Sequence, residues 1–581
     1  MVEKFKTQKN KLYEGRTYTN YKDLVDGSAK LFGDKIAFSY KENPEVKNPK
    51  FINVSYNRYK KDIENFGTSL LNLGLEKKRV ALISPNRYYW CVTYMATTIS
   101  DMVVVPLDRA LPPNEIESLI IRSQADAVVF DKRYIDTFND IKKKNTSNLK
   151  YYICMDNKED ENEILSFEKL MENGKALIQN GDNSFSNTKF DENEMSIMLF
   201  TSGTTDISKA VMLSQKNICS NVSAMTTLIK IYDGDSILSF LPMHHTLECT
   251  ATYLFCLATG CRICFCDGIK FIAKNMNEYN ISSLVCVPAL LEVMYKQINK
   301  QIKAKGLEFP VKVLMIISNF LRKFGIDIRR KAFKSILDNL GGKIRIIIYG
   351  SASTDKQIVK FLENIGITMI QGYGLTETSP VLACENDKYR RAPSTGFPLH
   401  NIEVKIDTPN EEGIGEIIAK GPNVMLGYYN NEEATNKIIK DGWFYTGDLG
   451  YFDKKGYLYI TGRKKDVIIL KNGKNIYPDE LEKLLNKSDL IDESIVYGNT
   501  DKNKDIVLCT KIVYSKENEL LKGKTFDEIY NLIKVEVKKV NDLMPVYKYI
   551  RELLVTDVPL IKTTTEKVKR HEEIKNLVKN N

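Results

Sequence analysis

The sequence predicts an α/β protein, with a large N-terminal domain of parallel-sheet αβ layers followed by a small α+β C-terminal domain. Three observations carry this. Strand-like and helix-like patterns alternate through the first 400 residues, short strands and tight turns follow, and 581 residues are too many for one core. The boundary falls in the charged turn Gly462-Arg463-Lys464-Lys465-Asp466, which divides the chain into residues 1–464 and 465–581.

Residues 52–56 read as a short strand, after which Ile63, Phe66, Leu70 and Leu71 recur at helical spacing. Residues 79–83 read as a strand, 88–98 as a buried helix, 102–107 as a strand, 113–122 as a helix opened by Pro113, and 127–130 as a strand. Residues 133–190 are polar and weakly patterned. In the next block, from 191 to 400, three strands end in glycine loops. These are 198–200 before Gly203, 344–349 before Gly350-Ser351-Ala352, and 368–371 before Gly372-Tyr373-Gly374-Leu375-Thr376-Glu377. Ligands gather at the carboxyl ends of strands in open parallel sheets, so these loops are expected to line one pocket. In the tail, Thr525 and Glu528 form a capping box for a helix with Ile529, Leu532, Ile533 and Val537 on one face.

Composition narrows the function classes. Hydrophobic content of 43% with 27% charged residues is that of an ordinary globular chain. The net charge is +10, but lysines and carboxylates alternate along the length. That reads as a solvated surface with room for a weak peripheral contact to an anionic membrane. No basic stripe interleaved with aromatics argues for nucleic acid. The first twenty residues lack an apolar core and read as no secretory leader. No run of eighteen uncharged apolar residues predicts a membrane-spanning helix. Eleven scattered cysteines read as reduced core thiols of a cytoplasmic protein. Cys261, Cys264 and Cys266 lack a nearby histidine or second CxxC and read as a buried strand.

The chemistry-bearing stretch is 198–214, MLFTSGTTDISKAVMLS. Thr201, Ser202, Gly203, Thr204 and Thr205 expose hydroxyls and backbone N–H groups, and Lys209 adds a point charge, as a polyphosphate requires. The spacing is not that of a Walker loop, and such a run by itself is equally a surface turn.

Five motifs settle that alternative: TSGTT-x-x-x-K at 201–209, YGLTE at 373–377, YTGD at 445–448, GRKKD at 462–466 and KTTTEK at 562–567. In this order and spacing they resemble the adenylate-forming superfamily of acyl-CoA synthetases, and 325–353 resembles its long-chain fatty acyl branch. The resemblance implies two half-reactions. A carboxylate attacks the α-phosphorus of ATP to give acyl-AMP and pyrophosphate, and a thiol, usually that of CoA, then displaces AMP. It implies that Thr201–Thr205 and Lys209 grip the β- and γ-phosphates, that Thr376 meets the α-phosphate, and that Glu377 holds Mg²⁺. Tyr373 and Gly374 would face adenine, with Gly350, Ser351 and Ala352 as the opposite wall. Asp448 would accept the ribose hydroxyls, Arg463 would reach ribose or phosphate, and Lys567 would bridge carboxylate and α-phosphate. Lys465 matches the hinge of a mobile small domain, and His245 a position beside the acyl pocket. The mostly apolar run 284–294 reads as core or as the wall of an acyl tunnel.

The implied partners are a small carboxylate, ATP and CoA. An acyl-AMP ligase serving a carrier-protein thiol, or a non-catalytic nucleotide or acyl binder, stand as alternatives. The chain departs from the superfamily pattern at Asp206, Ser208, Ala210 and Glu566, where glycine, proline, glycine and glycine are usual. Asp206 would bring negative charge beside the phosphate loop unless it faces water.

Overall fold

Two wide twisted sheets organise the larger part of the computed structural model, which describes residues 10–201, 208–352, 354–470, 474–500, 506–562 and 568–579. The eight-stranded sheet runs in the order Gly427–Tyr428, Lys209–Ser214, Met195–Thr201, Val103–Pro106, Arg79–Ile83, Ala127–Phe130, Tyr151–Cys154, Ile164–Ser166. Its strands are parallel from Met195–Thr201 to Ile164–Ser166, and antiparallel at the Lys209 and Gly427 edge. The nine-stranded sheet has a parallel centre of Thr368–Gly374, Ile346–Tyr349, Ser283–Cys286, Ser236–Ser239, Arg262–Phe265 and Ile36–Glu42. Antiparallel strands close it at either edge, Val381–Cys384 with Phe397–Pro398 on one side and Lys50–Ser55 on the other.

The central strands are continuous apolar runs because helices cover both of their faces. Ala127–Phe130 and Ile346–Tyr349 are buried at every position. Helix Tyr88–Ile99 is buried almost all round, with Trp90 stacked on Tyr94 at 5.1 Å, as a helix hydrophobic on every side must be. Residues 133–190 supply helices Ile135–Lys144 and Phe167–Gln179 and the last two strands of the first sheet. Their strands have only three or four residues, too short for a period of two to show.

The chain falls into two compact units. The first gathers most residues up to Val404 together with Ala419–Phe444. The second gathers Lys405–Ile418 and Tyr445 onward. Within the second, residues 448–452 pair antiparallel with Leu458–Arg463, and Glu493–Thr500, Ile506–Val513 and Ile550–Thr556 form a three-stranded sheet. Helices Pro478–Leu485 and Phe526–Asp542 bury Leu481, Leu485, Ile529, Ile533 and Val537 in its core. The capping box is present: the Thr525 hydroxyl accepts from the Glu528 N–H, and the Glu528 carboxylate accepts from the Thr525 N–H at 2.7 Å.

Among the described residues no group of three or more His, Cys, Asp or Glu is placed to hold a metal ion, and no helix is long and apolar enough to cross a membrane. Cys261 and Cys264 are buried, the latter in strand Arg262–Phe265. The 284–294 run divides between buried strand Ser283–Cys286 and helix Pro288–Ala304, whose Leu291 and Met294 lie in the second core.

Candidate functional site

Strand Met195–Thr201 does not cross over to a parallel partner. It pairs antiparallel with Lys209–Ser214, with Thr201 opposite Lys209. Ser202, Gly203, Thr204, Thr205 and Asp206 lie outside the described residues. The described residues on either side of 202–207 are held by side-chain contacts. The Thr201 hydroxyl faces the Lys209 carbonyl at 3.4 Å. On the return side, Arg122 donates to the Ser208 hydroxyl at 3.0 Å and to its carbonyl, while its guanidinium covers the Phe200 ring at 5.2 Å. Ser208, where proline is usual, is thus tied through its hydroxyl and carbonyl to Arg122 of helix Pro113–Ser123.

YGLTE is only half a loop. Strand Thr368–Gly374 runs through Tyr373 and Gly374, and pairs antiparallel there with Val381–Cys384. A Cβ at Gly374 would lie 1.7 Å from the Pro380 carbonyl oxygen, so only glycine lets these strands meet. Thr376 and Glu377 follow in a short 3₁₀ turn closed by Thr378, whose hydroxyl accepts from the Leu375 N–H at 3.0 Å. Strand Gly427–Tyr428 binds alongside Val211–Met212 and brings in a residue that sequence reasoning passed over. The Tyr428 phenol donates to Glu377 Oε1 at 2.9 Å, and Lys209 Nζ lies 4.9 Å from the Tyr428 ring centroid. Burial, followed by the Glu377 charge, raises the phenol's pKa well above its ordinary value, so it stays a donor. Lys209 and Glu377, 168 residues apart, thus share Tyr428 as a common contact.

Gly350, Ser351 and Ala352 follow the carboxyl end of Ile346–Tyr349. A Cβ on Gly350 would come within 2.9 Å of the Gly372 carbonyl oxygen. Ser351, exposed, takes φ +79°, a conformation that non-glycine residues adopt at a cost, usually where function demands it.

In the second unit, Asp448 and Arg463 are directly opposed across the Trp443–Phe452 and Leu458–Arg463 pair. Asp448 is 6% exposed, and its Oδ1 takes Arg463 Nε at 3.1 Å. Gly447, at φ +72°, turns the strand so that its N–H donates to Glu416 at 3.0 Å. Glu416 also holds Lys464 at 2.7 Å. Lys465 is exposed on the turn Lys464–Asp466. Glu566 and Lys567 lie outside the described residues, but Arg570, just beyond, is anchored. Its Nη2 reaches both Glu482 carboxylate oxygens at 2.6 Å while its Nη1 donates to the Val496 carbonyl at 2.8 Å.

His245 precedes a π-helical segment, Leu247–Leu254, a geometry frequent at functional sites. Its ring lies 4.4 Å from that of His244, whose pKa falls to about 4, chiefly through burial, against the opposing pull of Asp108 at 3.6 Å. One turn on is Glu248, fully buried, accepting from Ser239 at 2.7 Å and Thr252 at 2.9 Å. Burial outweighs these donors and pushes its carboxyl to about 8.

The model of AMP-binding enzymes matches residues 25–429, and that of their C-terminal domain matches 465–579. The chain belongs to the AMP-binding enzyme family. A Dictyostelium discoideum relative named fatty acyl-CoA synthetase B is 29% identical over 528 residues, covering 85% of this chain and 76% of the relative. A chloroplastic Arabidopsis thaliana relative named long-chain-fatty-acid–[acyl-carrier-protein] ligase is 26% identical over 550 residues, 82% of this chain and 74% of its own. The crystal structure of ATP-bound MatB from Rhodopseudomonas palustris shares the fold, with a TM-score of 0.72 at 22% identity over 97% of this chain and 99% of that one.

Three residues of this AMP-binding enzyme escaped sequence reasoning, for different reasons. Tyr428 and Arg122 carry no local signal, because their partners are distant in sequence. Glu248 does carry one, as the single acid in the apolar run LECTATYLFCLA, 247–258.

Proposed function

We propose that the chain activates a medium- or long-chain fatty acid with ATP, forming acyl-AMP and then acyl-CoA. The observation that carries this reading is the shared contact with Tyr428 made by Glu377 and by Lys209, which opens the strand that follows the hydroxyl-rich run. The names of the relatives support a fatty acid as the carboxylate.

In the first step a carboxylate oxygen attacks the α-phosphorus, the bond to the β-phosphate oxygen breaks, and pyrophosphate leaves. Bringing two anions together demands fixed positive charge and hydrogen-bond donors around the phosphates. Thr201–Thr205 and Lys209 hold the β- and γ-phosphates, Thr376 contacts the α-phosphate, and Lys567 bridges it to the carboxylate. Tyr373 and Gly374 lie against adenine, facing Gly350, Ser351 and Ala352. Asp448 accepts the ribose hydroxyls and Arg463 reaches ribose or phosphate. Glu377 fits Mg²⁺, a hard ion that takes one or two carboxylates and completes its shell with phosphate oxygens and water. Its carboxylate is kept in place by a neutral donor, Tyr428. Mg²⁺ supplies charge neutralisation on the phosphates when bound. In the second step the thiol sulfur attacks the acyl carbon and AMP departs. Residues 465–581 turn about Lys465 between the two steps to exchange Lys567 for the thiol. His245 lines the acyl side. The scattered reduced thiols support a cytoplasmic location.

A carrier-protein thiol is the second reading of the acceptor, favoured by the acyl-carrier-protein ligase among the relatives.

The test is pyrophosphate release from Mg-ATP with saturated fatty acids of rising length, with CoA, with a carrier protein, and with neither. Fatty-acid-dependent release that Lys567→Ala abolishes, while preformed acyl-AMP still reacts with CoA, supports the assignment. Equal loss of both half-reactions refutes the role of Lys567. ATP binding with no release from any carboxylate identifies a non-catalytic binder. In the same assay Asp206→Gly tightens ATP if Asp206 faces the phosphates.

A further inference from the structure

Helix Glu308–Arg322 is covered on one side only. Val311, Leu314 and Met315 pack on the core beneath it, and the Asn319 amide donates to Asn364 at 3.0 Å. The other side is bare and apolar. Phe309 is 77% exposed, Ile316 70% and Phe324 69%, and Val313, Ile317 and Phe320 lie between them on the same stripe. The positions 309, 313, 316, 317, 320 and 324 follow helical periodicity, and Phe320 meets Phe324 edge to face at 5.1 Å. A contiguous apolar stripe of this kind marks an interaction surface rather than ordinary scatter.

Its surroundings are strongly basic. Residues 296–334 contain eleven Lys or Arg and two Asp or Glu, close to the whole net charge of +10. One of those acids, Asp327, is held by Arg329. Charge is therefore not spread evenly along the chain, as its general alternation of signs implied. Lys312, Arg322 and Lys323 are exposed along the helix that carries the stripe.

We propose that this helix docks on an anionic lipid surface, with the Phe309–Phe324 stripe in the boundary between headgroups and acyl chains and the surrounding lysines and arginines on the headgroups. An interfacial helix needs these two features together: an apolar face rich in Phe, Ile and Val, and basic residues around it. The charge selects the occupant. A second copy related by two-fold symmetry would set the basic ring against itself, whereas anionic headgroups neutralise it, at about fivefold in binding per Lys or Arg. No helix among the described residues is long and apolar enough to cross a membrane, so this contact lies on the surface.

The experiment is flotation of the purified full-length chain with vesicles of phosphatidylcholine alone or mixed with phosphatidylglycerol, at low and high salt. The chain is expected to bind the mixed vesicles at least tenfold more tightly and to release them in high salt. Ile316→Asp with Phe320→Asp should lose at least tenfold. Lys312→Glu with Arg322→Glu and Lys323→Glu should lose the preference for phosphatidylglycerol. All five positions are exposed, so each variant should melt within a few degrees of the parent. Trp fluorescence of Phe320→Trp should shift to the blue on mixed vesicles. Absence of vesicle binding, or binding that the aspartates leave unchanged, overturns the proposal. So does a lipid-free dimer, seen by sedimentation, that the aspartates split, because a second copy would then be the occupant.

Discussion

Replacing Glu248 with glutamine should make the protein more stable at neutral pH than the residue it carries. A glutamate in an open chain releases its proton near 4.5, and Glu248 in the fold releases it near 8. Between those values the native state binds more protons than the unfolded state, so stability falls as pH rises. The contribution is complete below pH 4.5 and lost once pH passes about 8. At about 1.4 kcal/mol per pH unit this is on the order of 5 kcal/mol in all, of which roughly 3 kcal/mol falls between pH 5 and 7.5. Glutamine cannot ionise, keeps the shape of the protonated acid, and can accept from Ser239 while donating to the Thr252 oxygen. Thermal melts of both proteins at several pH values isolate Glu248, because every other titration cancels in the difference. The two should melt together near pH 5, with the glutamine variant several degrees higher at pH 7.5. A difference that stays constant across the range would refute the reasoning, since Glu248 would then not be protonated in the native state at neutral pH.

Asp448→Asn leaves the melting temperature within a degree or two, because a partly exposed ion pair contributes only about 0–1 kcal/mol, yet it should raise the KM for ATP at least tenfold in pyrophosphate-release titrations. Tyr428→Phe removes one donor to a charged acceptor, about 1.5–3 kcal/mol, so kcat/KM for Mg-ATP should fall roughly tenfold or more; an unchanged value would detach Tyr428 from the site. Arg570→Lys keeps the charge but cannot hold Glu482 and the Val496 carbonyl at once as the planar guanidinium does, which should slow adenylation while preformed acyl-AMP still reacts with thiol; equal slowing of both would show a structural effect alone.

Much of the fold is legible in the sequence because its signals are local. Strands 79–83 and 127–130 appear where the apolar runs placed them, and the Thr525–Glu528 box needs only four consecutive residues. Order, spacing and residue type likewise identify the family and nominate Lys209, Glu377, Asp448 and Arg463, since each lies within a short motif. What the sequence cannot show is which distant residues share a surface. The pairing of Gly427–Tyr428 with Val211–Met212, the shared contact of Glu377 and Lys209 with Tyr428, and the fastening of Ser208 by Arg122 all join segments far apart in the chain. Exposure is decided the same way. The stripe on Glu308–Arg322 has the periodicity of any core-facing helix, and only tertiary packing, by covering its opposite side, leaves this one facing outward. The raised carboxyl of Glu248 follows the same rule, because desolvation belongs to the surroundings that folding assembles and not to the residue itself.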